Sequence, residues 1–302
     1  MRSKGVLYIA LILTTAAWGG TFVAVKQALH YLDPLQLLFV RFVPATLAYA
    51  ALIGLWHRRI VARMLIGDWR SLCLMGLLGV TLYHLPLNLG EKLIPAGTVS
   101  LLMAVNPAFV MLFSMAILGE RATRSRVLGL AIAFVGLVLV MRAPISGQMD
   151  LRYLGGLLIS LISPISWALY TVISRPLAAR YPPLAVTGVA TILGAVPVLA
   201  LLGPSSLPAA AAMPWDGWAS VLFLALVSTV AGVTVWVLAL QRLDASRVGA
   251  FIYLVPLWGV LLSRLLLAEP MTPALLAGGA VVIAGVALVN QQGVTPSPQR
   301  ET

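Results

Sequence analysis

The chain has 302 residues, of which 61% are hydrophobic and only 10% charged. That is too little polar surface to coat a soluble globule, so a water-soluble enzyme or domain is excluded. The formal charge of +11 does not indicate a nucleic-acid binder either, because the basic residues sit in short links between apolar runs and form no block.

Apolar runs of the length that a helix needs to cross a bilayer recur along the whole chain. The first, 5–26, follows Arg2 and Lys4 and could be taken for a secretory leader. It stays apolar through Val25 and has a similar segment at 154–174, so it reads as a spanning helix. Thr14, Trp18 and Thr21 share one of its faces, which is expected to line a cavity. The second run, 34–56, carries Arg41 seven residues past Pro34; snorkelling or structural pairing is expected for it, as for Arg264. The third, 70–90, holds Thr81, Tyr83, His84, Pro86 and Asn88, the most polar cluster in any run, and the single cysteine, Cys73, is expected to pack inside. The fourth, 94–118, carries Asn106 and Pro107 and ends at Glu120; the fifth is 126–142. Five more follow at 153–174, 183–203, 217–240, 246–267 and 273–290.

A shift of 149 residues lays the second five runs over the first. It maps Pro107 onto Pro256, Glu120 onto Glu269, Trp18 onto Trp167, Lys26 onto Arg175 and Thr123 onto Thr272. Between residues 93 and 140, thirteen of 48 positions are identical at that shift, where chance would give roughly four. The chain is an internal duplication of a five-span unit. Because five is odd, the second copy enters the bilayer from the opposite face, the arrangement of carriers that alternate between two openings. With the N-terminus in the cytoplasm, fourteen cations fall on that side and four on the other, so both termini are expected there. The fold expectation is an all-α integral membrane protein of ten transmembrane helices in two inverted repeats.

WGGTFVAVK after a short basic N-terminus, the proline and Arg41 of the second helix, and the P…GE and P…AE endings resemble the EamA branch of the drug/metabolite transporter superfamily. The resemblance covers about residues 5 to 290. It implies repeats at 5–142 and 153–290 with a cytoplasmic tail at 291–302. It also implies a multi-pass carrier in the cytoplasmic (inner) membrane that moves amino acids or other small metabolites, often outward.

The residues suggest where a substrate would sit. Trp18, Trp167, Tyr170 and Tyr253 would contact its apolar part, and Thr21, Tyr83, His84, Asn88 and Asn106 its polar part. Pro107 and Pro256, placed inside helices, are expected to be hinges or cavity walls. Glu120 and Glu269 are expected to lie at the positive end of the helix that follows each, or beside neighbouring arginines, with Thr123 and Thr272 as N-caps and Pro273 at the first helical position.

All nine carboxylates fall at run ends, in links or in the tail, and there is no phosphate-binding GxxxxGK[ST] loop. Neither a metal or other cofactor nor a catalytic residue is expected, which disfavours the alternative of an intramembrane enzyme acting on a lipid-linked substrate. Facilitated diffusion or exchange is expected over strong proton coupling, since only His84 and Glu91 could relay a proton. The partners expected are a small-molecule substrate and the bilayer, with no nucleic acid. Gly129, Ala133 and Gly136 are expected to pack helices within a monomer.

Overall fold

The computed structural model describes residues 2–119, 123–141, 151–242 and 251–290, and every regular element among them is helical. Seven helices are long and apolar enough to cross a membrane, and three shorter apolar ones, Val127–Val140, Leu254–Leu267 and Pro273–Leu288, fall on the remaining runs.

In the first half, α1 (Arg2–Ala28) leads to α2 (Pro34–Trp56). Pro34 starts α2, and Gln36 Oε1 accepts the Asp33 N–H at 2.8 Å. A short helix, α3 (Arg58–Gly67), occupies what the sequence reads as a link. The third run is composite: α4 (Trp69–Gly76), a π-helical stretch at Leu77–Thr81 and α5 (Leu82–Leu93). The fourth is divided into α6 (Ala96–Met103) and α7 (Asn106–Leu118), and α8 (Arg124–Met141) completes the half. The second half has α9 (Leu151–Arg180), α10 (Pro183–Ala212), α11 (Trp215–Leu222), a π-helical stretch at Phe223–Ala231 and α12 (Gly232–Arg242). A 3₁₀ turn at Phe251–Tyr253 then leads into α13 (Leu254–Leu267), and α14 (Pro273–Asn290) follows.

The irregularities repeat at the same 149-residue shift. Leu77–Thr81 maps into Phe223–Ala231, so the third span of each half carries a π-helical stretch at one equivalent place. The turn at Ala104–Val105 divides the fourth span, and the 3₁₀ turn at Phe251–Tyr253, ahead of α13, falls at the equivalent place. Pro107 therefore does not kink a helix from within: it stands at the start of α7, where its missing N–H leaves no bond unmade. Pro256, buried, is the third residue of α13.

The fifth spans of the two halves pack against each other through glycines. A Cβ on Gly278 would meet Val140 N at 2.8 Å, one on Gly285 would meet Gly129 O at 2.7 Å, and one on Gly136 would collide with Val282. As the numbers rise along α14 they fall along α8, so these equivalent helices run antiparallel, as inversion of one half against the other requires. Their small residues join helices within the chain. Contacts elsewhere also come in equivalent pairs: α5 against α9 with α12 against α1, and α7 against α9 with α13 against α1. One buried cluster draws Phe22, Leu87, Leu102, Leu157, Val260 and Val286 from both halves. Cys73 is exposed, contrary to the packing role expected of it, because it lies on the outward face of α4 beside buried Leu72.

Candidate functional site

Helix α5 positions the polar side chains. His84, Asn88 and Glu91 are spaced four and three residues apart, which puts them on one helical face. They are 7%, 1% and 0% exposed. The face is held against α2 by Asn88 Nδ2, which donates to Pro34 O at 3.2 Å, and by an edge contact between His84 and Phe42 at 5.1 Å. His84 Nδ1, Asn88 Oδ1 and both Glu91 carboxylate oxygens have no hydrogen-bond partner.

A row of rings crosses from this face to α9. His84 meets Tyr83 at 4.5 Å, Tyr83 meets Trp167 at 5.1 Å, and Trp167 stacks on Tyr170 at 4.8 Å. Serines of α9 fix the register: Ser163 Oγ donates to Tyr83 O and Ser166 Oγ to Leu78 O, each at 2.8 Å. The second of these satisfies a carbonyl of the π-helical stretch, where the regular ladder is disturbed. Asn106 joins the same helix from α7, its Nδ2 donating to Pro164 O at 2.8 Å.

The other half repeats the device with different groups. Trp18 Nε1 donates to Ser228 O at 2.9 Å inside the second π-helical stretch, and its ring lies 5.1 Å from Trp236. The equivalent of Tyr83 is Gly232, and a Cβ there would meet Trp18 Nε1 at 2.7 Å, so the indole fills the place that a tyrosine holds in the first half. Thr21 Oγ1 bonds back to Trp18 O at 2.6 Å. The structure thus brings Tyr83, His84, Asn88, Trp167 and Tyr170 together with Asn106 at their margin. It sets Trp18 against the second π-helical stretch, and Thr21 bonds back along α1. The side chain of Tyr253 lies outside the described residues.

Arg41 departs from expectation. It is 5% exposed and neither snorkels nor pairs with a carboxylate among the described residues; Nη2 donates to Thr229 Oγ1 at 3.1 Å and Nε lacks a partner. That threonine donates in turn to Leu224 O at 2.8 Å, and Tyr49 Oη reaches its carbonyl at 3.4 Å. Arg264, by contrast, is exposed.

Near the Glu91 end of α5 charged side chains meet helix ends, and one of them ties the two halves. Lys26 Nζ donates to Glu91 O and to Ile94 O, capping the negative end of α5. Glu269 accepts the Ala96 N–H at 2.9 Å and the Gly97 N–H at 3.0 Å. It therefore sits at the positive end of α6, a helix of the other half, and not at that of α14, which follows it. Thr272 serves α14 as its N-cap, accepting the Leu275 N–H at 3.1 Å, and Pro273 opens that helix. Glu120 lies outside the described residues. The burial of Arg41 and Glu91 was hidden in the sequence, although Glu91 falls on the His84–Asn88 face at helical spacing.

A recess of about 550 Å³ between α6, α13 and α14 is lined by apolar and small residues, Leu101, Pro256, Val260 and Met271 among them. It lacks the placed polar groups that would orient a polar ligand.

The model of the EamA-like transporter family matches residues 4–142 and 154–291, one copy on each half. The chain belongs to the EamA-like transporter family. Among its relatives is an uncharacterized transporter of Archaeoglobus fulgidus, 32% identical over 285 residues, 93% of this chain and 98% of the relative. A protein of Streptantibioticus cattleyicolor named a "probable terminal-alkyne amino-acid exporter" is 34% identical over 284 residues, 94% and 93% of the two chains. A "probable amino-acid metabolite efflux pump" of Salmonella typhimurium is 26% identical over 292 residues, 91% of each chain. A protein solved by crystallography superposes with a TM-score of 0.61 over 95% of this chain and 96% of its own at 22% identity, which shows the shared fold. The protein is a multi-pass membrane transporter.

Proposed function

We propose that this EamA-like protein exports amino acids or related amphiphilic metabolites across the cytoplasmic membrane as a secondary carrier. Ten spanning helices form two inverted halves, 5–142 and 153–290, with both termini and the tail 291–302 in the cytoplasm. The monomer alternates between openings to either side. The observation that carries this reading is the meeting of partly buried aromatic and buried polar side chains: Tyr83, His84, Trp167 and Tyr170 in ring contact, with unpartnered polar atoms on His84 and Asn88. Two relatives support the substrate class, being named for amino-acid export and amino-acid metabolite efflux.

Alternating access would use the equivalent turns ahead of Pro107 and Pro256, at the starts of α7 and α13. Trp18, Thr21 and Tyr253 would complete the substrate's path on the second half's side. No cofactor and no coupling ion are required, and exchange down a gradient suffices.

The test is counterflow of an amino-acid mixture in proteoliposomes holding purified protein, read by mass spectrometry. Wild type is expected to carry one or more amino acids saturably, whereas Asn106→Leu and Trp167→Ala reach the membrane folded and carry none. Wild-type flux in both variants would refute this site. Chemical conversion of a lipid-linked compound without net movement would favour an enzyme instead.

A further inference from the structure

Among the buried side chains with unmet hydrogen-bonding capacity, Arg41, His84, Asn88 and Glu91 stand on two neighbouring helices and divide by chemical sense between them. On α2, the Arg41 guanidinium donates to a hydroxyl, and its Nε–H has no acceptor among the described residues. On α5, what is left over is mainly acceptor: Asn88 Oδ1, both Glu91 oxygens, and His84 Nδ1 in one tautomer. No hydrogen bond joins Arg41 to Glu91 among the described residues. Lys26 does not consume the carboxylate, since among the described residues its hydrogen bonds go to the main-chain oxygens of Glu91 and Ile94.

Buried groups of this kind are costly in a bilayer unless something pairs with them. A spare cationic donor calls for an anionic acceptor, and a guanidinium fits a carboxylate through two parallel bonds. Spare acceptors ending in a carboxylate call for a cationic donor such as an ammonium. Lys26, bonded to the Glu91 carbonyl, and Arg41 balance Glu91 and Glu269 in charge when all four are ionised. A ligand among them preserves that neutrality if its net charge is zero, and a zwitterion also supplies both kinds of partner that these groups lack.

The geometry points to a zwitterion seat between α2 and α5, in which Arg41 takes the carboxylate of an α-amino acid while Asn88 Oδ1 and Glu91 take its ammonium. The ligand's side chain then runs along the row of rings from His84 to Tyr170. This rests on the amino-acid reading above and adds which groups read the two ends of the molecule. It also explains why these residues belong to one half. At the 149-residue shift Arg41, Asn88 and Glu91 become Ala190, Val237 and Leu240, so the seat has no second copy.

The experiment uses the full chain in proteoliposomes and three probes with each of two side chains: leucine and phenylalanine, their amides, which lack the carboxylate, and their N-acetyl forms, which lack the ammonium. Counterflow and thermal stabilisation are both read. Wild type is expected to respond to the free amino acid at least tenfold more strongly than to either blocked form. Arg41→Gln is expected to lose the preference over the amide, with part restored by Arg41→Lys, and Glu91→Gln to lose the preference over the N-acetyl form. Should Arg41→Gln fail to fold, Arg41→Lys and the wild-type comparison decide. Equal response of wild type to all three forms, or unchanged selectivity in the variants, overturns the seat and leaves the carrier standing. Transport of other metabolites with no response to any of these probes overturns the seat and the amino-acid reading together.

Discussion

Helices α5 and α12 occupy equivalent places, each following a π-helical stretch and each packed against the first helix of the opposite half. Their faces differ completely. Where α5 carries Tyr83, His84, Asn88 and Glu91, α12 carries Gly232, Val233, Val237 and Leu240. The backbone design was kept in both copies while the chemistry was placed in one, as expected when inversion needs matched scaffolds but a small substrate needs a single set of partners. A bonded indole takes the remaining space in the second half: Trp18 locks onto Ser228 O, whereas Trp167 stacks among rings.

Exchanging the faces is the sharpest way to break that comparison. Giving α5 the residues of α12, as His84→Val with Asn88→Val, removes hydrogen-bonding groups worth about 1–3 kcal/mol each when buried. Counterflow should fall about tenfold or more, since each ~1.4 kcal/mol is a factor of ten. The reverse change Val233→His, in the apolar copy, should leave flux within about twofold if the protein still folds, because it supplies one group without its partners. Comparable losses from both would show that the chemistry is shared by the halves.

A smaller effect is expected at the tie between halves. Glu269→Gln replaces a charged acceptor at the positive end of α6 by a neutral one and should cost about 1–2 kcal/mol. A thermal melt in detergent should show this as a drop of a few degrees. Trp18→Phe removes the bond to Ser228 O and should cost about 0.5–1.5 kcal/mol. Trp167→Phe keeps an aromatic ring in the stack and should destabilise less.

The smallest effect belongs to the link at the opposite end. Asp68 accepts from Arg180 Nη2 at 2.8 Å and from Tyr181 Oη at 2.9 Å. The Tyr181 hydroxyl first and Arg180 second hold its carboxyl below the ordinary carboxylate range. A lowered folded value gives stability that is present above the unfolded value of about 3.9 and lost as pH falls through the folded one. Asp68→Asn should therefore melt slightly below wild type at neutral pH, and the two should converge in strong acid. A gap that widened with acid would contradict that assignment.

Much of this architecture was legible in the sequence because it depends on periodicity and duplication. Apolar runs report spans, and the 149-residue shift links the halves without reference to any contact. Interruptions were less legible: Pro107 looked like an internal kink, but a proline at a helix start and one inside a helix leave the same mark in an apolar run. The cross-half partners were not legible at all. Nothing local to Glu269 says that it serves Ala96 and Gly97, because a cap supplied from about 170 residues away is a property of tertiary packing. Glu91 sits in the last turn of its span, where sequence alone suggests contact with water; it is buried instead.

Inversion of equivalent positions is tested most directly by labelling one pair of them. In a Cys73→Ser background, Lys92→Cys and Gln241→Cys stand at the same place in the two halves and should end on opposite faces of the membrane. A membrane-impermeant maleimide added to intact cells should label Lys92→Cys at once and Gln241→Cys only after permeabilisation. Labelling of both from one side would contradict the inverted arrangement and with it the alternating carrier.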